Sequence, residues 1–276
     1  MNFKYRFWKI PAAVPLFTNL LCAIEIINLT RDTFPGGIIK IVAESPRECS
    51  AEFLGGRYPL FKEGNLTVGV IPVKLDAAGE VPLKVIEHRF LRKSIITEKT
   101  VVIKEKKFRK SKMSFISEEI SSDEKKLNFS LKKEIKAYTK IKYSGKFGYP
   151  LKKYNITSGF GDHRVDRNGR SLWRHKGVDL AAPTGTPVRP VARGKVVFVI
   201  RNSPVYGNTV LIDHGRGIKS IYIHLSEVGC KKGQIIDKDT VLGKTGSTGI
   251  SMGPHLHLGI YLFGIPVDPV YALKIL

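Results

Sequence analysis

Two long parts of this chain are built from short runs of Val, Ile, Leu and Tyr. Each run is too short for a helix and ends at glycine, proline or a polar turn. Between Ile24 and Lys104 the runs read IEIINLT, GGIIKIVAES, AEFLGG, LTVGVIPV, VPLKVIEH and TVVIKE. From Gly145 they return, with denser glycine, as GKVVFVI, GNTVLIDHG, KSIYIHLS, QIIDKDTVLGKTG and HLHLGIYL. Runs of this length and composition, punctuated by turns, form strands. The expected fold is therefore mainly β. A β-sandwich-like domain is expected over residues 24–104 and a second β-rich domain over 145–276.

The stretch between them differs. Residues 105–144 are dominated by lysine, and glycine and proline are absent from 105–140. A helix is expected around Ser122–Thr139, within a solvated, basic connector. Residues 1–23 place Lys4, Arg6 and Lys9 ahead of an apolar run, the layout of a secretory signal. Pro11, Pro15 and Asn19 interrupt that run, so it makes a poor membrane span. The segment is expected to be a signal peptide or anchor, and the protein to be exported to the periplasm or cell envelope. Lys and Arg outnumber Asp and Glu by 46 to 24, a formal net charge of +22. That surplus suits a polyanionic partner. No zinc-finger spacing, helix-turn-helix pattern or aromatic RNA-binding signature occurs, which weighs against nucleic acid and leaves an anionic membrane face or an anionic envelope polymer. Cys22, Cys49 and Cys230 are far apart. They suit neither a disulfide framework nor a thiolate zinc site.

Six of the seven histidines lie in the second β-rich part, with His88 alone in the first. In the strand HLHLGIYL, His255 and His257 share one face, while Leu256 and Leu258 take the other. The pair could bind a metal together, or one ring could bind while the other handles protons. Two half-buried polar residues on a wet sheet face is the plainer alternative. Upstream, His175 and Asp179 are four apart in HKGVD, and Pro183 and Gly185 in AAPTG bar a helix there. On one extended segment these side chains would flank Gly177, leaving space for an ion. With His257 they make a two-histidine, one-carboxylate set suited to zinc, with a fourth position left for water. His224, in YIHLS, and His255 could take that water's proton or stabilise an oxyanion. His214 reads as structural. His163 is either a substrate-groove residue or an exposed loop histidine.

HKGVD, YIHLS and TGSTGISMGPHLHLGI, in this order, resemble the lysostaphin-type (LytM-like) zinc metallopeptidases that cut peptidoglycan peptides. The resemblance runs over about Phe147–Tyr271 and includes TSGFG, AAPTGTPV and GNTVLIDHG. FPGGIIKI resembles, more weakly, the accessory β-domain that precedes this peptidase domain in envelope proteins. The resemblance implies one Zn2+ per chain on His175, Asp179 and His257, with His224 and His255 as the catalytic pair. It implies hydrolysis of peptide cross-links, with peptidoglycan peptide stems as substrate. The alternative is a LytM-like activator or wall-binding protein without catalysis. The bond cut and the oligomeric state stay open.

Overall fold

The computed structural model describes residues 24–89, 94–112, 121–141, 143, 146–166 and 168–276. The basic-then-apolar stretch behind the export expectation, residues 1–23, lies outside the described residues, as does Cys22.

Eight strands form the first sheet: β1 (Glu25–Leu29), β2 (Asp32–Thr33), β3 (Ile38–Glu44), β4 (Cys49–Phe53), β5 (Gly56–Glu63), β6 (Leu66–Pro72), β7 (Gly79–Glu87) and β8 (Ile95–Ile103). Their order is β1-β3-β6-β5-β4-β7-β8-β2. Only the β2–β8 pair is parallel. β5 links the two halves. Residues 56–60 pair with β4, and residues 61–63 pair with β6. One continuous sheet thus folds over a core that includes Ile39, Ile41, Phe53, Leu83 and Val85. The result is sandwich-like, as expected, though its two layers share a strand.

The connector is not simply a solvated link. It supplies β9 (Lys110–Lys112) and α1 (Ser122–Lys136). Ser121 caps α1 by accepting the Glu124 N–H, and acidic residues at its start and lysines at its end complement the helix dipole. Leu127, Leu131 and Ile135 recur every four residues and form a single apolar stripe. That stripe packs on Ile200, Leu211, Ile221 and Ile223 of the following sheet. The surrounding lysines hide so narrow a stripe from any reading by composition.

The remaining chain forms β10 (Asn155–Ser158), β11 (His163–Val165), β12 (Ser171–Arg174), β13 (Val178–Ala181), β14 (Pro187–Val188), β15 (Gly194–Ser203), β16 (Gly207–Gly215) and β17 (Ile218–Leu225). There follow β18 (Glu227–Val228), β19 (Ile235–Ile236), β20 (Gly243–Lys244), β21 (His255–Leu262), β22 (Ile265–Val267) and α2 (Pro269–Ile275). The main sheet runs β10-β13-β21-β17-β16-β15-β19, with β22 added to β21. Small sheets β12-β11-β9 and β14-β20-β18 flank it. One face buries Val178, Leu180, Val210, Tyr222, Leu256 and Leu258 in a core. The other face carries α1 and, beside it, the histidines. Contacts also tie the two sheets together. Asp268 N–H donates to Gly36 O at 2.8 Å, and the Phe263 ring lies 5.5 Å from Tyr58. Cys49 and Cys230 are buried free thiols in different cores. Among the described residues, no helix is long and apolar enough to cross a membrane.

His214 is structural, as its sequence context suggested. Its Nδ1–H donates to Arg193 O at 2.9 Å, and its Nε2 meets Ser220 Oγ at 2.7 Å. The Ser220 hydroxyl in turn shares a 2.9 Å hydrogen bond with Tyr222. Burial lowers the His214 pKa from 6.5 to about 4. Between those values the unfolded chain binds more protons at this site than the folded one. The stabilisation it gives is therefore complete above pH 6.5 and is lost as pH falls toward 4. The loss expected is on the order of 3 kcal/mol. Denaturant melts of wild type and His214→Gln across this window should show a steeper pH slope for wild type, and equal slopes would contradict it.

Candidate metal centre

Sheet register brings the site together. Asp179 on β13 is the cross-strand partner of His257 on β21, so the two side chains meet on one face. Leu256 and Leu258 are fully buried on the opposite face, which directs His255 and His257 together toward the site as strand alternation predicts. His175 arrives differently. It lies just past the end of β12, before β13 begins, so it and Asp179 do not share one strand. It is fixed instead by the turn leading to β11. Its N–H donates to Asp162 O at 2.9 Å, and its Nδ1–H donates to Gly159 O at 2.8 Å.

Gly177 also has a different role from the one its position suggested. A Cβ there would lie 2.6 Å from His257 Nε2 and press on the Leu258 carbonyl. The space that glycine leaves is filled by the His257 imidazole, not by an ion. Gly177→Ala must therefore displace a ring whose placement the site depends on. A shift of about 1 Å in such a group costs about 10²-fold in activity. Cleavage assays on the folded variant measure this, and wild-type activity would contradict the placement of His257.

Three donor atoms converge. His175 Nε2, Asp179 Oδ1 and His257 Nδ1 are separated by 3.0, 2.9 and 3.1 Å. A tetrahedral zinc ion bound at ~2.0–2.1 Å holds its donors about 3.3–3.4 Å apart, so the triangle nearly matches three corners of that polyhedron. The carbonyl of Gly159 takes the His175 Nδ1 hydrogen, which leaves Nε2 of the neutral ring bare. Burial alone would raise the Asp179 pKa, but the imidazoles of His175 and His257 beside it overcome this and hold the carboxyl far below the usual range. Burial lowers the His257 pKa. The site thus gathers acceptors with too few protons to share, and a cation satisfies such a set. Among the described residues this His175, Asp179 and His257 group could hold a metal ion.

The other two histidines stand beside the triangle. The His224 ring lies 4.8 Å from His255 and 6.3 Å from His257, and His255 Nε2 is 3.8 Å from Asp179 Oδ1. Regular alternation would put His224 on the core face with Tyr222. A bulge prevents this. Val210 pairs with Tyr222 and Asn208 with Leu225, so Ile223 and His224 together face one residue. His224 also adopts a left-handed φ of +65°, a strained conformation of the kind held at functional sites.

The small-residue segment before HLH fixes both rings. Thr248 O accepts from His224 Nδ1 at 2.8 Å, and Gly253 O accepts from His255 Nδ1 at 2.8 Å. A carbonyl can only accept, so each neutral ring carries its hydrogen on Nδ1 and presents a bare Nε2. Burial and the neighbouring rings of His257 and His255 lower the His224 pKa to about 4, which keeps that ring neutral near pH 7.

His163 falls on β11, partly buried, with its ring centroid 6.5 Å from that of Phe108. Its N–H donates to Arg109 O at 2.8 Å, and its register partner on β12 is Arg174. Sequence reasoning missed Arg164, whose guanidinium reaches the second oxygen of Asp179 at 3.0 Å.

Residues 173–269 match the family described as Peptidase family M23. Over 125 residues the chain is 39% identical to the peptidoglycan DD-endopeptidase ShyA of Vibrio cholerae, which covers 45% of this chain and 29% of the relative. It is 46% identical over 121 residues to the DD-carboxypeptidase/endopeptidase Mpg of Neisseria meningitidis, covering 44% of this chain and 27% of that protein. The chain thus spans less than a third of either relative. A solved Pseudomonas aeruginosa structure assigned to peptidase M23 aligns with a TM-score of 0.65 at 26% identity, covering 87% of this chain and 94% of the other. That alignment extends beyond the second sheet into the first. The match takes in His175, Asp179, His224, His255 and His257, so residues 173–269 carry a peptidase family M23 domain.

Proposed function

We propose that this protein is a zinc-dependent endopeptidase that hydrolyses D,D peptide cross-links of bacterial peptidoglycan. The observation that carries the reading is the convergence of His175 Nε2, Asp179 Oδ1 and His257 Nδ1 beside two imidazoles with bare Nε2 atoms. The D,D specificity follows the names of the similar relatives, a peptidoglycan DD-endopeptidase and a DD-carboxypeptidase/endopeptidase.

His175, Asp179 and His257 would hold the ion. Zinc in such a set supplies Lewis acidity and activates water near neutral pH. His224 and His255 are the proton-handling groups. In hydrolysis the attacking water gives a proton to a bare Nε2, and that proton passes to the leaving amine as the C–N bond breaks. The partner ring, held by its own carbonyl, stands where it can steady the oxyanion. All five side chains are present and gathered, which supports an enzyme over a non-catalytic activator.

A peptidoglycan substrate calls for export, a reading supported by the basic-then-apolar layout of residues 1–23. The +22 charge suits retention on anionic envelope polymers. Purified protein incubated with isolated sacculi should release soluble fragments, and a chelator should stop the release. Protein that carries stoichiometric zinc and binds sacculi without releasing fragments would favour the activator reading.

A further inference from the structure

The carboxylate of Asp179 uses its two oxygens differently. Oδ1 faces His175 Nε2 at 3.1 Å and His257 Nδ1 at 2.9 Å, inside the donor triangle. Oδ2 points away and accepts from Arg164 Nη2 at 3.0 Å. Both side chains are nearly buried, 10% exposed for Arg164 and 13% for Asp179. The same guanidinium donates through Nη1 to Ser111 Oγ at 3.1 Å. Ser111 belongs to β9, the connector strand, and is the register partner of Arg164 across the parallel β9–β11 pair. Ser111, Arg164 and Asp179 therefore form a bridge from the connector to the donor triangle. Ser111 and Arg164 both precede the segment that matches the family.

We infer that Arg164, anchored by Ser111, is a positioning residue that makes Asp179 a one-oxygen donor and so keeps a coordination position open. A carboxylate can bind a metal through one oxygen or both, and a catalytic zinc site needs a place left for water. A planar guanidinium suits this task because its fork holds Oδ2 and Ser111 Oγ at once in a fixed plane. Without it, Oδ2 would be free to turn inward and join Oδ1 on the ion as a fifth donor, crowding the place left for water. The connector then does more than link two sheets, because its strand edge anchors the group that sets the ligand's geometry.

This inference rests on the reading of the triangle as a metal centre, and the test separates the two. Cobalt(II) replaces zinc in the purified full chain, and its visible bands report coordination, since four-coordinate sites absorb more strongly than five-coordinate ones. Wild type should take up one cobalt and show strong bands. Arg164→Ala should take up cobalt with clearly weaker bands and lose about 10–100-fold in cleavage rate. Ser111→Ala should move both readouts the same way by less. Arg164→Lys should recover part of the band intensity, because an ammonium can hold Oδ2 but cannot reproduce the fork. Should Arg164→Ala fail to fold, the Ser111→Ala spectrum decides alone, since that change removes one hydroxyl from a three-residue strand. An Arg164→Ala or Ser111→Ala protein with the wild-type spectrum overturns the inference. Tighter zinc binding with unchanged bands would also overturn it, by showing that Arg164 acts only as a nearby charge. Wild type that takes up no cobalt would overturn the metal centre itself.

Discussion

Asp179→Ala is expected to leave the protein folded, without bound metal and without measurable cleavage. Asp179 touches both other donors, at 3.1 and 2.9 Å, so its removal takes away one corner of the triangle and the negative charge that draws a cation in. Two imidazoles are too few donors for a tight structural or catalytic zinc site. The same change strands the Arg164 guanidinium, which is 10% exposed. Some loss of stability should therefore accompany the loss of metal, since breaking a buried pair leaves an uncompensated charge. Asp179→Asn tests the charge with less disturbance of shape. It should keep the fold and still hold zinc poorly. Elemental analysis after dialysis against a weak chelator is the measurement, and zinc retained at one per chain in either variant would remove Asp179 from the donor set.

The second large effect divides metal binding from proton handling. His255→Ala and His224→Ala should each keep zinc and lose about 10²–10⁴-fold in turnover, the usual worth of a positioned proton-transfer group. Neither ring is a corner of the triangle, and each Nδ1–H is committed to a carbonyl, Gly253 O for His255 and Thr248 O for His224. His257→Ala should behave in the opposite way and lose the metal. Paired zinc content and cleavage rate for the three variants test this. An active His255→Ala, or one that sheds its zinc, would show that the roles of His255 and His257 are wrongly divided.

The sequence made some of this legible and hid the rest for identifiable reasons. His255 and His257 could be placed on one face because alternation in a strand is strict, and Leu256 and Leu258 are indeed fully buried on the other. The pairing of Asp179 with His257 could not be read, because register between strands 78 residues apart is a tertiary fact. Gly177 was legible as a space but not as the space for His257, since a glycine does not announce which neighbour fills it. The orientation of His224 depends on a bulge that breaks alternation without any glycine or proline at the spot. Carbonyls are equally silent. STGISMG reads only as a run of small residues, yet its Thr248 and Gly253 oxygens fix the tautomers of both rings. The connector was the largest difference. Its lysines made it look solvated, while Leu127, Leu131 and Ile135 pack on the sheet and Ser111 reaches Arg164.

The central claim is that His175, Asp179 and His257 hold a single zinc ion on which hydrolysis of peptidoglycan cross-links depends. Zinc titration of metal-stripped protein, with mass spectrometry of the fragments released from a defined cross-linked muropeptide, tests it most directly. The expected result is no cleavage without metal, followed by a rise in D,D-cleaved fragments that levels off at one zinc per chain. Undiminished cleavage by the metal-free protein, or no cleavage once one zinc is bound, would contradict the claim.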